Sequence, residues 1–394
     1  MTAERPDVLE LAKQLIAIES HKLYGGREAA VGRFLTDWFQ ERGVEAELQF
    51  VEDERSNVIA RIPGEDDGPS LMLCGHLDTV PAGDMLDAFT PCVTHGALWG
   101  RGACDMKGAV AAMACVMADV ARDCALSRSG GLQGDLVFLG TVDEETGGLG
   151  VKAAIDAGVR ADYAIVGEPT DLRVALAHKG ACFVRIILSG RGAHGSCPEE
   201  GVSAVSYAAR LVCAIEGALR KKLSDRTHPL LGCSTVNVGA LRGGTQPNIV
   251  AERCEIEIDR RMVPGDDDPL AELRVLAETV CGGVDGLSVD VEESRMSSVV
   301  PHKALETLPD SQIARAALEA CRETALPQET IGVTYWSDGG HLAAHGVETI
   351  VFGPGRIVDA HSSQDRVAIA DLDTAATWYL WMIRELLGVS APNT

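Results

Sequence analysis

Short apolar runs bounded by glycine and proline constrain the fold of this chain more than any other feature. Four of them contain few polar residues and are too short for stable helices, namely residues 57–62, 71–74, 136–139 and 163–166. Runs of this kind are typical of strands buried on both faces of a sheet. Segments with helical spacing of apolar residues separate them, among them an alanine-rich stretch at 107–121. The alternation predicts an α/β domain with a mixed sheet flanked by helices.

A different pattern begins near Lys179. It predicts strands at 182–188, 235–238, 254–258 and 287–291 and helices at 202–219 and 270–280. The order β-α-β-β-α-β, with apolar and charged residues alternating in 254–258, predicts a separate α+β domain with an antiparallel sheet. The first pattern resumes after Val299. We therefore predict a discontinuous larger domain over 1–178 and 299–394, with a smaller domain over 179–298 inserted into it.

Charge and cysteine content exclude several classes of protein. The chain has 35 Lys and Arg against 58 Asp and Glu, a formal net charge of −23, which argues against nucleic acid or an anionic membrane as partner. The twelve cysteines form no C-x-x-C pair, so a thiolate zinc site is not expected. The N-terminal residues show no signal peptide and no apolar run is long enough to span a membrane. These features predict a soluble cytoplasmic protein with reduced, mostly buried thiols.

Two motifs near the first predicted strands contain candidate metal ligands. His76 and Asp78 follow the strand at 71–74, and residues two apart project to the same side of an extended backbone. Asp78 is placed to help orient His76, directly or through its neighbours. Asp105 lies in a glycine-rich turn before the alanine-rich helix. It is either a helix N-cap or a carboxylate that bridges two metal ions.

Three further motifs place acids and a histidine after later strands. Asp143, Glu144 and Glu145 are consecutive and repel one another unless cations are present. Glu168 follows the strand at 163–166, and His361 lies shortly after an apolar run that ends in glycine and proline. Each motif alone is also compatible with a solvated loop. Together they predict a site of oxygen and nitrogen ligands, which suits Zn, Mn or Co.

The five motifs in this order resemble those of the M20 metallopeptidase family. They are His-x-Asp, an Asp in a glycine-rich turn, Glu-Glu, Gly-Glu-Pro and a late His, and they span almost the whole chain. The family includes N-acyl amino acid deacetylases, desuccinylases and glutamate carboxypeptidases. The resemblance implies a catalytic α/β domain with an inserted ferredoxin-like domain that acts as a lid and forms a homodimer.

The resemblance also implies roles for individual residues in the larger domain. It implies a set of five ligands for two divalent ions, most often Zn, with Co or Mn as alternatives: His76, Asp105, Glu145, Glu168 and His361. Asp105 would bridge the ions, His76 and Glu168 would complete one site, and Glu145 and His361 would complete the other. Asp78 would support His76, and Glu144 would be the general base. The family also often has a cis peptide bond after the bridging aspartate.

Three residues of the smaller domain match family positions that contact substrate. His194 would polarise the scissile carbonyl, in dimeric members across to the partner subunit. Asn248 would contact the substrate, and Arg261 would bind its carboxylate. One departure is Asp365, where the family usually has Glu, which leaves the role of this position open. The loop at 335–341 resembles one that members use near the second metal, but its Trp and His are not diagnostic.

The predicted activity is hydrolysis of a small N-acyl amino acid by metal-activated water. A glutamate-type carboxypeptidase or dipeptidase is the main alternative, and hydrolysis of an unusual C–N bond is a rarer one. A metal-binding homologue retained only for assembly is disfavoured, because such a protein has no need of Glu144 beside a full ligand set.

Overall fold

The computed structural model describes residues 6–23, 25, 27–65, 67–126, 131–266, 268–294 and 301–388. They form two compact units. One contains the chain up to Ala177, Leu305–Val333 and the chain from Ser337 on, and the other contains His178–Ala304 and Thr334–Trp336. The predicted roles of 1–178 with 299–394 as a catalytic domain and of 179–298 as a lid and dimerisation domain remain predictions.

The first unit contains the elements at both ends of the chain. Its N-terminal part comprises, in order, α1 (Val8–Ile16), α2 (Ala29–Gln40), β1 (Glu45–Glu52), β2 (Arg55–Ile62), β3 (Leu71–His76), β4 (Cys92–Thr94), β5 (Ala97–Trp99), an irregular helical turn (Ala103–Lys107), α3 (Gly108–Leu126), β6 (Leu136–Thr141), α4 (Leu149–Asp156), β7 (Tyr163–Val166) and β8 (Ala175–His178).

The second unit follows directly. It comprises β9 (Gly180–Ser189), a short 3-10 turn (Pro198–Glu200), α5 (Ala204–Ala214), a π-helical turn (Ile215–Leu219), α6 (Arg220–Ser224), β10 (Thr227–His228), β11 (Gly232–Cys233), β12 (Thr235–Gly243), β13 (Arg253–Met262), α7 (Pro269–Cys281) and β14 (Ser288–Glu293). The chain then returns to the first unit through β15 (Leu305–Glu306), α8 (Gln312–Glu323), β16 (Ile331–Val333), α9 (Gly339–Ala344), β17 (Glu348–Val351), β18 (Arg366–Ala368) and α10 (Ile369–Leu387).

A large mixed sheet organises the first unit. Within the described residues its strand order is β1-β2-β6-β3-β7-β17-β8-β15, with β16 beside β8. Strands β6, β3, β7 and β17 are parallel to one another, whereas the pairs β1-β2, β2-β6 and β17-β8 are antiparallel. The predicted α/β class with a mixed sheet flanked by helices is confirmed.

Apolar side chains from helices and strands form one core in this unit. Helix α3 is buried along its first three turns, which explains why its sequence is apolar on all sides rather than along one stripe. Leu15 of α1 and Trp378 of α10 belong to the same core as α3, as does Phe138 of β6. The helix predicted at 107–121 therefore lies where expected, and it extends to Leu126.

Several strands are longer than predicted, and the extension of β3 affects the site. β3 continues to His76 and β6 to Thr141, because Gly75 pairs with Gly140 and His76 pairs with Thr141 in parallel register. His76 is therefore the last residue of a buried strand and not part of the loop that follows it. Its backbone is held by the sheet, which restricts the position of its side chain.

The second unit contains a four-stranded antiparallel sheet. Its order is β12-β13-β9-β14, and apolar residues of α5 and α7 pack with those of β9, β12 and β13 in a separate core. The helix predicted at 202–219 begins later, at Ala204, because the Ser203 hydroxyl caps it by accepting a hydrogen bond from the Ser206 N–H. Regular α geometry ends at Ala214, where the π-helical turn begins.

The thiols and the helices agree with two expectations from the sequence. All twelve cysteines are free and seven of them are buried. Among the described residues, no helix combines the length and the apolar character that crossing a membrane requires. The cytoplasmic location stays a prediction.

Candidate metal centre

Three neighbouring parallel strands bring the first group of candidate ligands together. β3 ends at His76, β6 ends shortly before Glu144, and β7 ends shortly before Glu168. Because these strands are parallel and adjacent, their carboxyl ends meet at one edge of the sheet. One potential ligand atom from each of His76, Glu144 and Glu168 lies within 4.8 Å of the others, and all three residues are buried.

Asp105 connects this group to a second one. Its Oδ1 lies 2.9 Å from Nε2 of His76, and its Oδ2 lies 3.2 Å from Nε2 of His361. His361 Nε2 is also 2.9 Å from a carboxylate oxygen of Glu145. Asp105 therefore presents one oxygen towards each histidine, as a bridging carboxylate must. The peptide bond from Asp105 to Met106 is cis, as the resemblance implied.

The orientation of His76 is set by the main chain of Asp78. Nδ1 of His76 donates a hydrogen bond of 2.9 Å to the Asp78 carbonyl oxygen, whereas the nearest Asp78 carboxylate oxygen is 3.6 Å away. A neutral imidazole that donates from Nδ1 keeps a lone pair on Nε2, the nitrogen that faces Asp105. This lone pair is what a metal ion requires.

The Asp78 carboxylate instead supports the loop that carries Glu144 and Glu145, called the glutamate loop below. Its two oxygens accept hydrogen bonds from the backbone N–H groups of Glu144 and Glu145, at 3.2 and 3.1 Å. Asp78 therefore positions both the His76 ring and the loop that carries Glu144 and Glu145, through different parts of the same residue.

The electrostatics of the site favour a bound cation. Burial raises the pKa of Glu144 and of Glu168 well above the usual range, and neighbouring carboxylates raise both further. Burial acts to raise the pKa of Asp105 as well, but hydrogen bonds from His361 and from the doubly protonated form of His76 outweigh it and lower that pKa. Hydrogen bonds to Asp105 and Glu145 raise the pKa of His361 to about 10. Carboxylates that are buried and this close together repel one another unless positive charge is present, so this set of ligand atoms fits divalent ions.

Comparison with known proteins assigns the family. Residues 72–385 match the sequence profile of peptidase family M20/M25/M40. The chain belongs to this family. Members of M20 hydrolyse amide or peptide bonds, so the chain is a hydrolase of that class.

Relatives and solved structures cover nearly the whole chain. The acetylornithine deacetylase of Proteus mirabilis (strain HI4320) is 31% identical over 412 residues, covering 100% of this chain and 98% of that protein. The structure of aminopeptidase PepT from Bacillus cereus ATCC 10987 matches with a TM-score of 0.77 at 22% identity, covering 98% of this chain and 100% of that one. The Bacillus subtilis YXEP protein, a dinuclear metal binding peptidase from the M20 family, matches with a TM-score of 0.70 at 15% identity, covering 97% of this chain and 98% of that one. At these identities the two structures show a shared fold.

Asp365 supports the turn that carries Asp105. In this M20 chain its carboxylate accepts hydrogen bonds from the backbone N–H groups of Gly102 and Cys104, at 2.7 and 2.9 Å, and from Nη1 of Arg101 at 3.0 Å. The residue is buried. The open question about this position is therefore answered in part: the aspartate holds the backbone on both sides of Ala103, close to Asp105.

Sequence reasoning missed a buried ion-pair network behind the glutamate loop. Arg55 at the start of β2 contacts Asp143 through Nη1, and its Nε lies 3.2 Å from the Glu28 carboxylate. Asp143 has a φ of +65°, and its main-chain carbonyl oxygen accepts hydrogen bonds from the backbone N–H groups of Gly147 and Gly148. The side chains of Arg55, Glu28 and Asp143 are all nearly inaccessible to solvent. Only the acidic triplet was visible in the sequence, because an isolated Glu or Arg resembles any surface charge.

Arg55→Met is expected to lower the free energy of unfolding by about 3 kcal/mol, because it leaves two buried carboxylates without their cation. Urea denaturation measures the change. Lys152→Met is the matched control: it removes a cation from the exposed 2.8 Å pair with Asp156, which contributes at most about 1 kcal/mol. Equal effects of the two substitutions would contradict a structural role for the buried network.

Asp338 is a second residue that sequence reasoning passed over. It lies in the loop that directly precedes α9, is buried, and accepts a hydrogen bond of 2.6 Å from the Thr141 hydroxyl at the end of β6. Burial raises the pKa of Asp338 to about 7. Through this hydrogen bond, the loop before α9 is attached to β6, the strand that precedes the glutamate loop. The sequence feature that could have predicted this contact is Asp338, rather than Trp336 or His341.

The three predicted substrate residues all belong to the second unit. His194 is exposed, and its Nδ1 lies 3.2 Å from the backbone N–H of Ser196. Because that N–H can only donate, Nδ1 is the acceptor and Nε2 is the nitrogen left to carry a proton. The Asn248 carbonyl accepts a hydrogen bond of 2.7 Å from Gly195 N–H, which places Asn248 beside the His194 segment. The roles of His194, Asn248 and Arg261 towards a substrate remain predictions.

Proposed function

We propose that this chain hydrolyses the amide bond of a small N-acyl amino acid in a metal-dependent reaction of the deacetylase type. The observation that carries the proposal is the position of Asp105, which presents one carboxylate oxygen to His76 and the other to His361 beside a buried Glu144. The acetylornithine deacetylase of Proteus mirabilis, similar over the whole chain, supports an N-acyl amino acid as substrate.

The proposed ligand assignment is based on the two carboxylate oxygens of Asp105, which face different histidines. His76 and Glu168 would hold one ion together with Asp105, and Glu145 and His361 would hold the other. Oxygen and nitrogen donors suit Zn, with Co and Mn as alternatives, and the dinuclear centre named for the Bacillus subtilis YXEP protein supports two ions. Divalent ions bound there would supply Lewis acidity and make a water molecule nucleophilic near neutral pH.

Glu144 is the residue best placed to move the proton. Its carboxylate is buried among the ligands, and its raised pKa, caused by burial and by Glu168, suits a group that both accepts and returns a proton. In the proposed reaction Glu144 takes a proton from the attacking water and delivers it to the nitrogen of the leaving amine. Asp78 assists by holding the Glu144 backbone and the His76 ring.

Residues of the second unit would bind the substrate. His194 would donate a hydrogen bond from Nε2 to the scissile carbonyl oxygen, in the manner of an oxyanion hole. Asn248 would contact the substrate, and Arg261 would bind its carboxylate through two N–H groups. The proposal includes a cytoplasmic homodimer formed through this unit, with His194 acting in the partner's site.

Two other reactions fit the same metal centre. A glutamate-type carboxypeptidase or dipeptidase would use the same ligands and differ only in the group on the acyl side of the amide bond. Hydrolysis of an unusual C–N bond is the third candidate. The relative named acetylornithine deacetylase favours the first reaction over these two.

A hydrolysis screen tests the proposal. The full chain is supplied in turn with Zn, Co and Mn and assayed for release of free amine from N-acetyl, N-formyl and N-succinyl amino acids and from dipeptides. We expect turnover of an N-acyl amino acid that disappears with a chelator and returns with added metal. Turnover of dipeptides alone would favour the peptidase alternative.

Mixing two inactive variants tests the role of His194. His194→Ala and Glu144→Ala subunits are each expected to be inactive, whereas a mixed dimer has one site with both residues intact if His194 acts across the interface. We expect partial recovery of activity after subunit exchange, which native mass spectrometry can monitor. No recovery in a sample with confirmed exchange would assign His194 to the site of its own subunit.

A further inference from the structure

Strand β13 carries two adjacent arginines on opposite faces of the sheet. Arg260 is buried on the helix-covered face, where its Nη2 lies 2.9 Å from the Glu272 carboxylate of α7. Arg261 lies on the other face and is partly exposed. Successive side chains of a strand point to opposite faces of the sheet. A ligand that approaches the face without helices, called the open face below, therefore contacts Arg261 and not Arg260.

Asp259 shares that open face and occupies one edge of the Arg261 guanidinium. Nε of Arg261 donates to Asp259 Oδ1 at 2.8 Å, and Nη2 donates to Oδ2 at 3.1 Å. A guanidinium has five N–H donors, and this pair uses two of them. The opposite edge, formed by Nη1 and the second hydrogen of Nη2, is the part that can receive another carboxylate.

Two aromatic rings lie near the same guanidinium. Cζ of Arg261 lies 4.8 Å from the ring centroid of Trp336 and 5.7 Å from that of Phe183, within the range of cation–π contacts. The N–H groups of a guanidinium lie in its plane, so a carboxylate that pairs with Arg261 approaches in that plane, at the edge that Asp259 leaves open.

The other arginines on the open face of β9 and β13 already have carboxylate partners. Arg185 contacts Glu255 and lies 3.7 Å from Glu257 and 3.6 Å from Glu292. Arg253 donates to Glu255 at 2.8 Å. These pairs lie farther along the sheet, with Arg185 in register with Glu257 and Arg253 in register with Ser189. Asp259 is therefore the acidic side chain of β13 nearest to a ligand bound at Arg261.

We propose that Asp259 is a specificity-determining residue that restricts the substrate to N-acyl amino acids with a single carboxylate and a neutral or cationic side chain. One carboxylate gains the hydrogen bonds of the free Arg261 edge, which offset its repulsion by Asp259. A second carboxylate, as in an acylated glutamate or an N-succinyl amino acid, experiences the repulsion without that gain. The inference rests on the proposed function, and in particular on Arg261 as the residue that binds the substrate carboxylate.

The test compares three N-acetyl amino acids of similar size on the metal-loaded full chain. We expect wild type to hydrolyse N-acetyl-L-methionine and N-acetyl-L-ornithine with higher kcat/KM than N-acetyl-L-glutamate. Asp259→Asn should raise the ratio of kcat/KM for N-acetyl-L-glutamate to that for N-acetyl-L-methionine by about tenfold, mainly through KM, because it removes one charge close to the bound ligand. Asp259→Glu keeps the charge and should keep the wild-type preference.

Asp290→Asn is the matched control. It removes the same charge from the exposed strand β14 of the same sheet, where Asp290 pairs in register with Ile187 and not with the Arg261 segment. We expect the substrate ratio of this variant to change by less than about twofold. A wild-type preference for N-acetyl-L-glutamate, or equal ratios in Asp259→Asn and wild type, would overturn the inference.

Arg261→Gln separates this inference from the proposed function on which it rests. If Arg261→Gln raises KM for N-acetyl-L-methionine while Asp259→Asn leaves the ratio unchanged, the Asp259 inference fails alone. If Arg261→Gln leaves KM unchanged although hydrolysis is present, the assignment of Arg261 to the substrate carboxylate fails together with it. Absence of hydrolysis for every N-acyl amino acid would instead refute the proposed function.

Discussion

Glu144→Ala is expected to lower kcat by about 10³–10⁴-fold while the protein keeps its metal, because a general base contributes a factor of up to this size without being needed as a ligand. Without Glu144, the proposed assignment still leaves three ligands for each ion, because the bridging Asp105 is joined by two further residues on each side. The measurements are initial rates on the best substrate of the screen and metal content by mass spectrometry.

Glu144→Gln is the shape-matched control for this experiment. It keeps the volume of the side chain and removes its capacity to accept a proton, so its kcat should fall as far as that of Glu144→Ala. Near-normal turnover in either variant would remove Glu144 as the base. Loss of metal together with activity would instead identify Glu144 as a ligand. The structure allows this alternative, because a carboxylate oxygen of Glu144 lies within 4.8 Å of potential ligand atoms of His76 and Glu168.

Asp105→Asn is expected to abolish hydrolysis and to weaken binding of both metal ions by more than about 100-fold, since loss of a group that merely supports a ligand already costs about 10–100-fold. The physical reason is that Asp105 presents a separate oxygen to each histidine, at 2.9 and 3.2 Å, so one substitution affects both ions. Titration with Zn monitored by calorimetry measures the affinity and the stoichiometry.

His361→Ala distinguishes a bridging role of Asp105 from a general loss of the site. This variant should lower the metal content while His76, Glu168 and Asp105 retain one ion. His95→Asn is its control, because His95 is exposed, has a φ of +50° that Asn tolerates, and matches no ligand position. Unchanged metal content in both Asp105→Asn and His361→Ala would contradict the proposed ligand assignment.

Local patterns were sufficient to predict the central strands β2, β3, β6 and β7 of the first unit and its helix α3. The strand at Tyr163–Val166 has the predicted bounds, and the helix at Gly108–Leu126 contains most of the predicted stretch. Errors lie at the ends, as for His76, which the sequence placed after its strand. Strand ends are set by pairing with neighbours, here His76 with Thr141, and such pairing is a property of the sheet rather than of one segment.

The same distinction, between local sequence patterns and contacts of distant segments, holds for the candidate metal centre. The identity of the candidate ligands could be predicted, because acids and histidines after buried strands are chemically conspicuous. The supporting contacts could not, because each joins residues far apart in the chain. Arg55 reaches Asp143, and Asp365 reaches Gly102 and Cys104, through contacts that no local pattern encodes.

The sequence by itself determined the fold class, the family and the order of the candidate ligands, since these depend on hydrophobic periodicity and on residue types at short spacing. Only the tertiary structure decided that Asp105 faces both histidines, that the Asp78 main chain orients His76, and that Asp259 already occupies one edge of Arg261. The reason is physical: hydrogen bonds and ion pairs depend on distances of about 3 Å, and those distances are set only when the strands and turns have packed.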